Sequence, residues 1–165
     1  MLKVVAYINS KTFFWHLIRF KQSWLMGLAG RYSRISHVEL VDSQWISFSS
    51  SEEDGGVRFK KIDFKPENWE FIEIDTTPEE EEKIRKWCES KTQNNYNWWG
   101  IFFAMWLGFY TTGEDDYFCS QIVTRALQEI GECCTLSAQM TSPGQLCKYL
   151  EERWLMLESK VILEI

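Results

Sequence analysis

Two short runs hold the residue types of thiol catalysis: Ser36-His37-Val38-Glu39-Leu40-Val41 and Tyr117-Phe118-Cys119-Ser120-Gln121-Ile122-Val123. A thiol attacks as thiolate, and a free cysteine with a pKa of about 8.5 is mostly protonated at neutral pH. A helix start favours the anion through its unpaired N–H groups and dipole, and a neighbouring imidazolium adds an opposite charge. Ile122, Val123, Ala126, Leu127 and Ile130 fall on one helical face, with Gly131 as the stop, so Cys119 is expected in the first turn of a helix. The amides of that turn can also donate to the oxyanion of a tetrahedral acyl intermediate.

A base must hold the proton that the thiol gives up, and a third group must orient the base. His37 lies in an alternating run, which puts His37 and Glu39 on one face of a strand and Val38 and Leu40 on the other. If Val38 and Leu40 are buried, the cysteine helix is expected to pack on the His37 and Glu39 face. Candidates for the orienting group are Glu39 itself and, on the next strand, Ser47 and Ser49.

Each residue alone has a plainer reading. A single free cysteine more often behaves as a small buried hydrophobe, and a single strand histidine is more often structural. Cys88 and Cys147 fall on apolar helical faces and the Cys133-Cys134 pair follows a helix, so these four read as packing residues. His16, after Phe14-Trp15, reads as a packing or surface residue. A redox role for Cys119 has little support without a resolving cysteine nearby in sequence.

The elements that must position the pair follow from pattern. A strand is expected over residues 3–8 and a helix over Lys11 to Leu28, with apolar residues at Phe14, Leu17, Ile18, Trp24, Leu25 and Leu28. Four strand-like runs follow, Ser36 to Val41, Trp45 to Ser50, Val57 to Ile62 and Trp69 to Ile74, separated by turn residues that suit antiparallel hairpins in a small meander. Thr77-Pro78-Glu79-Glu80 carries a capping box and opens a helix to about Ser90. Thr111 to Asp116 reads as a loop, Ser142-Pro143-Gly144-Gln145 caps a last helix expected to carry Leu146, Cys147, Leu150 and Trp154 towards the core, and Lys160 to Ile165 is expected to return as a strand. The organisation is α+β, a small antiparallel sheet packed with helices in one domain over residues 1–165.

Composition narrows the function classes. With 165 residues, 45% hydrophobic and nine tryptophans, the chain has the material for one substantial core and is not a disordered tail. A formal net charge of -6 argues against a nucleic-acid partner, whose phosphates need clustered Lys and Arg. Five cysteines, an odd count without repeated spacing, argue against a secreted disulfide framework; two histidines and no C-x-x-C pair argue against a metal site. No cofactor is expected. The N-terminal run lacks the pattern of a signal peptide, which makes cytoplasmic the expected location. Trp98 to Tyr110 is strongly apolar, but its thirteen residues fall short of the roughly 20 that span a bilayer. A buried helix is expected there, with an amphipathic membrane contact as the alternative.

In order and type, these runs resemble the permuted NlpC/P60 papain-like cysteine peptidases and amidases, in particular the YiiX/YaeF-like branch. The resemblance rests on His16-Leu17-Ile18-Arg19, Ser36-His37-Val38, Gly55-Gly56-Val57-Arg58, Tyr96-Asn97-Trp98, Phe118-Cys119-Ser120 and Thr141-Ser142-Pro143, over roughly residues 14–150. Histidine before cysteine reverses the usual papain order. The resemblance implies a circularly permuted papain-like fold with Cys119 as nucleophile and His37 as base. It also implies Tyr96 beside the nucleophile, with Tyr96 and Ser120 on the substrate side. Relatives place a His, Glu, Asn or Gln on the strand after the histidine, where this chain has Phe48-Ser49-Ser50, so Ser49 is the positional match and Glu39 the charged alternative. The activity implied is cleavage of a peptide, isopeptide or N-acyl amide, cell-wall peptide included, or acyl transfer by the same residues. The contrasting expectation is an inert binding or structural protein on the same fold. Compact phage proteins also use the fold, which adds the virion or a host cytoplasm as expected locations.

Overall fold

The computed structural model describes residues 1–8, 22–23, 27–92, 94–97 and 116–163. Five strands, β1 (Leu2–Tyr7), β2 (His37–Val41), β3 (Ser47–Ser51), β4 (Gly56–Lys60) and β5 (Trp69–Ile74), form one antiparallel sheet in the order β4-β3-β2-β1-β5. Among the described residues three delimited helices accompany it, α1 (Pro78–Lys91), α2 (Cys119–Gln128) and α3 (Pro143–Leu163), and a 3-10 turn at Tyr32–Arg34 leads into β2.

The sheet differs from a simple meander in one connection. β2, β3 and β4 follow one another through hairpins, but β5 returns to the far side of β1 instead of pairing with β4. β1 thereby lies inside the sheet, between β2 and β5, and is buried on both faces, Val4, Val5 and Ala6 being sealed from solvent. The tail also differs from expectation: residues 160–163 continue α3 as helix instead of returning as a strand. The expected helix over Lys11 to Leu28 and the aromatic segment Trp98 to Tyr110 fall mainly outside the described residues, as does His16.

Strand alternation divides the sheet into unlike faces. The inner face carries Leu2, Val4, Ala6, Val38, Leu40, Phe48, Val57, Ile72 and Ile74, which form one core with Ile84 and Cys88 of α1, Ile122, Val123, Ala126 and Leu127 of α2, and Leu146, Cys147 and Leu150 of α3. The cysteine helix therefore packs against the Val38 and Leu40 face, opposite to the face expected from His37 and Glu39. The physical reason is apolar burial: α2 has a strongly one-sided apolar face, which seeks the apolar side of β2 and β3. The outer face carries His37, Glu39, Ser47, Ser49 and Arg58.

Helix α1 starts as its capping box dictates, with Thr77 Oγ1 accepting from the Glu80 N–H at 3.2 Å and Glu80 Oε2 accepting from the Thr77 N–H at 2.9 Å. Helix α3 is capped by Ser142, whose Oγ accepts from the Gln145 N–H at 3.3 Å; its Leu146, Cys147 and Leu150 are buried as expected, but Trp154 is exposed instead of packing in the core. Among the described residues no helix is long and apolar enough to cross a membrane.

Candidate active site

His37 is the first residue of β2, and its backbone is held at the end of the sheet from both sides. The Ser36 N–H donates to the Tyr7 carbonyl at 3.0 Å, and buried Gln22 donates from Nε2 to the Ile35 carbonyl at 2.7 Å. Gln22 Oε1 also accepts from the Gly144 N–H at 2.7 Å, which ties the entry of β2 to the start of α3.

Cys119 is held by a second set of ties. Tyr117, two residues ahead of it, forms a parallel bridge with Tyr96, and its carbonyl accepts from the Asn97 N–H at 3.1 Å. Ser50 on the inner side of β3 donates to that carbonyl at 2.6 Å. Asn95 in turn bridges Gly56 at the start of β4, and the Val57 N–H donates to the Asn94 carbonyl at 2.9 Å. This contact demands glycine. Gly56 has φ of 149°, and a Cβ there would lie 2.1 Å from the Asn94 carbonyl oxygen. The hairpin, the 94–97 segment and the residues leading to Cys119 are thus one hydrogen-bonded unit.

Phe118, the residue before α2, offers no side-chain hydrogen bond to the helix start, unlike Thr77 of α1 and Ser142 of α3. The first-turn amides lack intrahelical partners by the geometry of any α-helix. The cap residue of α2 does not occupy them through its side chain.

Around His37 the outer face carries a dense charged network. His37 donates from Nε2 to Glu39 Oε1 at 2.7 Å. Arg58 from β4 grips the same carboxylate as a fork, Nη1 to Oε2 and Nη2 to Oε1, both at 2.8 Å, and Ser47 Oγ donates to Oε2. Glu39 is 1% exposed, so a carboxylate with these four donors is buried and fully engaged. Arg58 reaches on to Asp54 Oδ2 with Nε at 2.8 Å, and Lys60 donates to Asp54 Oδ1 at 2.7 Å.

The electrostatics follow. Burial opposes a charge on His37, but interactions with Cys119 and Glu39, through both charge and hydrogen bonding, overcome it and carry the imidazole to about 10. Burial likewise opposes the Glu39 charge, and His37 with Arg58 reverses that, pulling the carboxyl down to about 2. Because Nε2 is taken by Glu39, Nδ1 is the ring nitrogen left to serve Cys119. Tyr96 is pushed up by burial first and then by Cys119 and Glu52, so its phenol stays protonated beside the thiol.

Each candidate residue now has a place. Cys119, His37, Glu39 and Tyr96 come together. Ser49 does not join His37: its hydroxyl donates to the Val38 carbonyl at 2.8 Å. The serine that reaches the carboxylate is Ser47. Ser120 is fully buried and donates to the Thr141 carbonyl at 2.7 Å, an internal tie between α2 and the approach to α3. All five cysteines are free thiols, and Cys88, Cys133 and Cys147 are buried with thiols pushed upward by that burial, Cys133 to about 12.

Two contributors are not visible in the sequence alone. Arg58 stands there only as part of a turn motif, since an arginine on an edge strand ordinarily points to water. Trp69 stands edge-on to His37 at 6.5 Å between ring centres and packs on Tyr7 at 4.8 Å. Its one signal is its place at the start of β5, but a strand aromatic is usually read as packing.

A cleft of about 670 Å³ opens over this face, lined by Tyr7, His37, Glu39, Arg58 and Trp69 and rimmed by residues of the hairpin tip and the 60–63 segment. Among the described residues no group of three or more His, Cys, Asp or Glu side chains gathers where a metal ion could be held. The arrangement suits a thiolate nucleophile, an oriented imidazole and first-turn helix amides for an oxyanion. Comparisons of the chain with protein-family models, with curated proteins and with solved structures give no match.

Proposed function

We propose that the chain is a cysteine hydrolase that cleaves an amide bond, on a circularly permuted papain-like fold of the NlpC/P60 type. Cys119 attacks the carbonyl carbon, and the negative charge moves to the carbonyl oxygen, where the first-turn amides of α2 receive it. His37 gives its proton to the departing amine as the C–N bond breaks, which leaves an acyl thioester on Cys119. His37 then takes a proton from water, the hydroxide adds to the thioester, and the thiolate leaves with the acid released. Glu39 fixes the ring through Nε2 and stabilises the imidazolium. The observation that carries this reading is the 2.7 Å bond between His37 Nε2 and a fully buried Glu39, together with the interaction of the same ring with Cys119.

The substrate class is a peptide, isopeptide or N-acyl amide, and the open cleft beside His37 can take a chain of a few residues. Acyl transfer to an amine or alcohol would follow the same first half. Five free thiols support a reducing compartment such as a cytoplasm.

The test is alkylation. Iodoacetamide at pH 6, followed by mass spectrometry of the peptides, should modify Cys119 ahead of exposed Cys134, and His37→Ala should remove that advantage. Labelling of Cys119 no faster than Cys134 in the wild-type chain overturns the proposal. A second reading, an inert binding or structural protein on the same fold, draws on the burial of Cys119, which is 3% exposed. That reading requires Cys119 to resist labelling across the whole pH range.

A further inference from the structure

The catalytic cluster continues beyond His37 as a line of alternating charge. From the thiol outward it runs Cys119, His37, Glu39, Arg58, Asp54, Lys60, with each neighbouring pair of opposite sign when the thiol is ionised. The first four are buried or nearly so, the side chains of Glu39 and Arg58 being 1% and 15% exposed. A buried group of charges is tolerated when it sums to zero and each member is hydrogen-bonded. Thiolate, imidazolium, carboxylate and guanidinium do sum to zero. Without the guanidinium the same group would carry one uncompensated negative charge.

We infer that Arg58 is a positioning residue for catalysis, the counter-ion that lets a buried thiolate coexist with the Glu39 carboxylate while its fork holds Glu39 against His37. The inference rests on the proposed thiol chemistry and assigns to Arg58 a role that a packing residue would not have. The geometry of the guanidinium fits that role. Two of its nitrogens engage both oxygens of Glu39, and the third is held by Asp54, so the fork cannot rotate away.

Among the described residues, few other groups face this cluster. Tyr7 of β1 lines the cleft, Tyr96 and Glu52 lie towards the thiol side, and Cys147 of α3 approaches Cys119 from the core. Tyr96 and Cys147 are held protonated by burial, and Glu52 is raised by its own burial and by Glu53. Asp54 and Lys60 pair with each other and leave the balance of the inner four unchanged. The other cations lining the cleft, Lys60 and Lys61, are exposed at its rim with Asp63 nearby in sequence, where water screens them, and neither replaces the partly buried guanidinium of Arg58.

The experiment is the pH profile of Cys119 alkylation by iodoacetamide in four chains: wild type, Arg58→Gln, Glu39→Gln and the double variant, with circular dichroism to verify that each is folded. Charge balance makes the two single substitutions opposite in sign. Arg58→Gln moves the alkylation midpoint to higher pH by about one unit, an approximately tenfold slower reaction at pH 6. Glu39→Gln moves it to lower pH, and the double variant returns near wild type. Arg58→Lys keeps the charge without the fork and stays closer to wild type than Arg58→Gln.

A role in packing alone would shift both single variants in the same direction, and that outcome overturns the inference, as does an unchanged midpoint in folded Arg58→Gln. Should Arg58→Gln fail to fold, the comparison of Glu39→Gln with Arg58→Lys decides: opposite displacements support the inference, and equal ones overturn it. These failures are distinct from failure of the thiol chemistry itself, which would show as a wild-type Cys119 that alkylates no faster than Cys134.

Discussion

The two faces of the sheet are built from the same strands and obey different physics. On β2, Val38 and Leu40 turn inward to Ile122 and Val123 of the cysteine helix, while His37 and Glu39, their alternate neighbours, turn outward to Arg58 and Ser47. The inner face is held by area removed from water, which is non-directional and tolerant of exchange among apolar shapes. The outer face is held by four donors on one carboxylate, which is directional and intolerant of losing any partner. Packing and chemistry are thus separated by a single-residue step along one strand. His37 belongs to both, because as the first residue of β2 it bonds Glu39 on the outer face and interacts with Cys119 at the start of α2.

The sharpest way to break this division is at the thiol. Cys119→Ser should lower amide cleavage by at least about a thousandfold, while the melting temperature stays close to wild type. The readout is product formation beside a thermal melt, and a joint loss of both would show that the residue serves the core. Phe48→Ala on the inner face should do the reverse, costing about 3–5 kcal/mol in a denaturant titration, with Cys119 labelling retained by the folded fraction.

The pH dependence of stability separates the faces next. Glu39, normally 4.5 and about 2 when folded, contributes stability above pH 4.5 that is lost as the pH falls towards 2, on the order of 3 kcal/mol in denaturant titrations at stepped pH. His37, normally 6.5 and about 10 when folded, contributes fully below pH 6.5 and loses its part as the pH rises through 10. Glu39→Gln should flatten the acid limb and leave the buried inner-face thiols to dominate the alkaline one. The smallest effect belongs to Ser49→Ala. Loss of its bond to the Val38 carbonyl should cost about 1 kcal/mol, with amide cleavage within about twofold of wild type. A large loss of cleavage would restore Ser49 to the site.

What the sequence made legible follows the same line. Period-two alternation predicted every strand of the sheet to within a few residues, and the capping box placed α1, because these are local signals. The partner of β5 was hidden, since alternation gives a strand's face but not its neighbour, and β5 crosses to β1 over a long connection. His37 and Cys119 were visible by type and context. The choice between Glu39 and Ser49 was not, because both share a face and only register shows which one meets the ring. Arg58 was hidden for a deeper reason. Its burial depends on Glu39, nineteen residues earlier, and neither residue alone announces that it will be taken out of water.

Hairpin tips are ordinarily where a chain gains or loses residues at little cost, because they run over the surface without close neighbours. The turn before β4 is denied that freedom. With the Asn94 carbonyl 2.1 Å from where a Cβ of Gly56 would sit, the β4 end of the tip cannot lengthen or change residue without displacing the backbone that leads to Tyr117 and Cys119. Length variation in this sheet is therefore expected to collect in the connection between β4 and β5, whose residues 61–63 lie on the rim of the cleft, and where insertions would reshape what the cleft admits without moving the thiol.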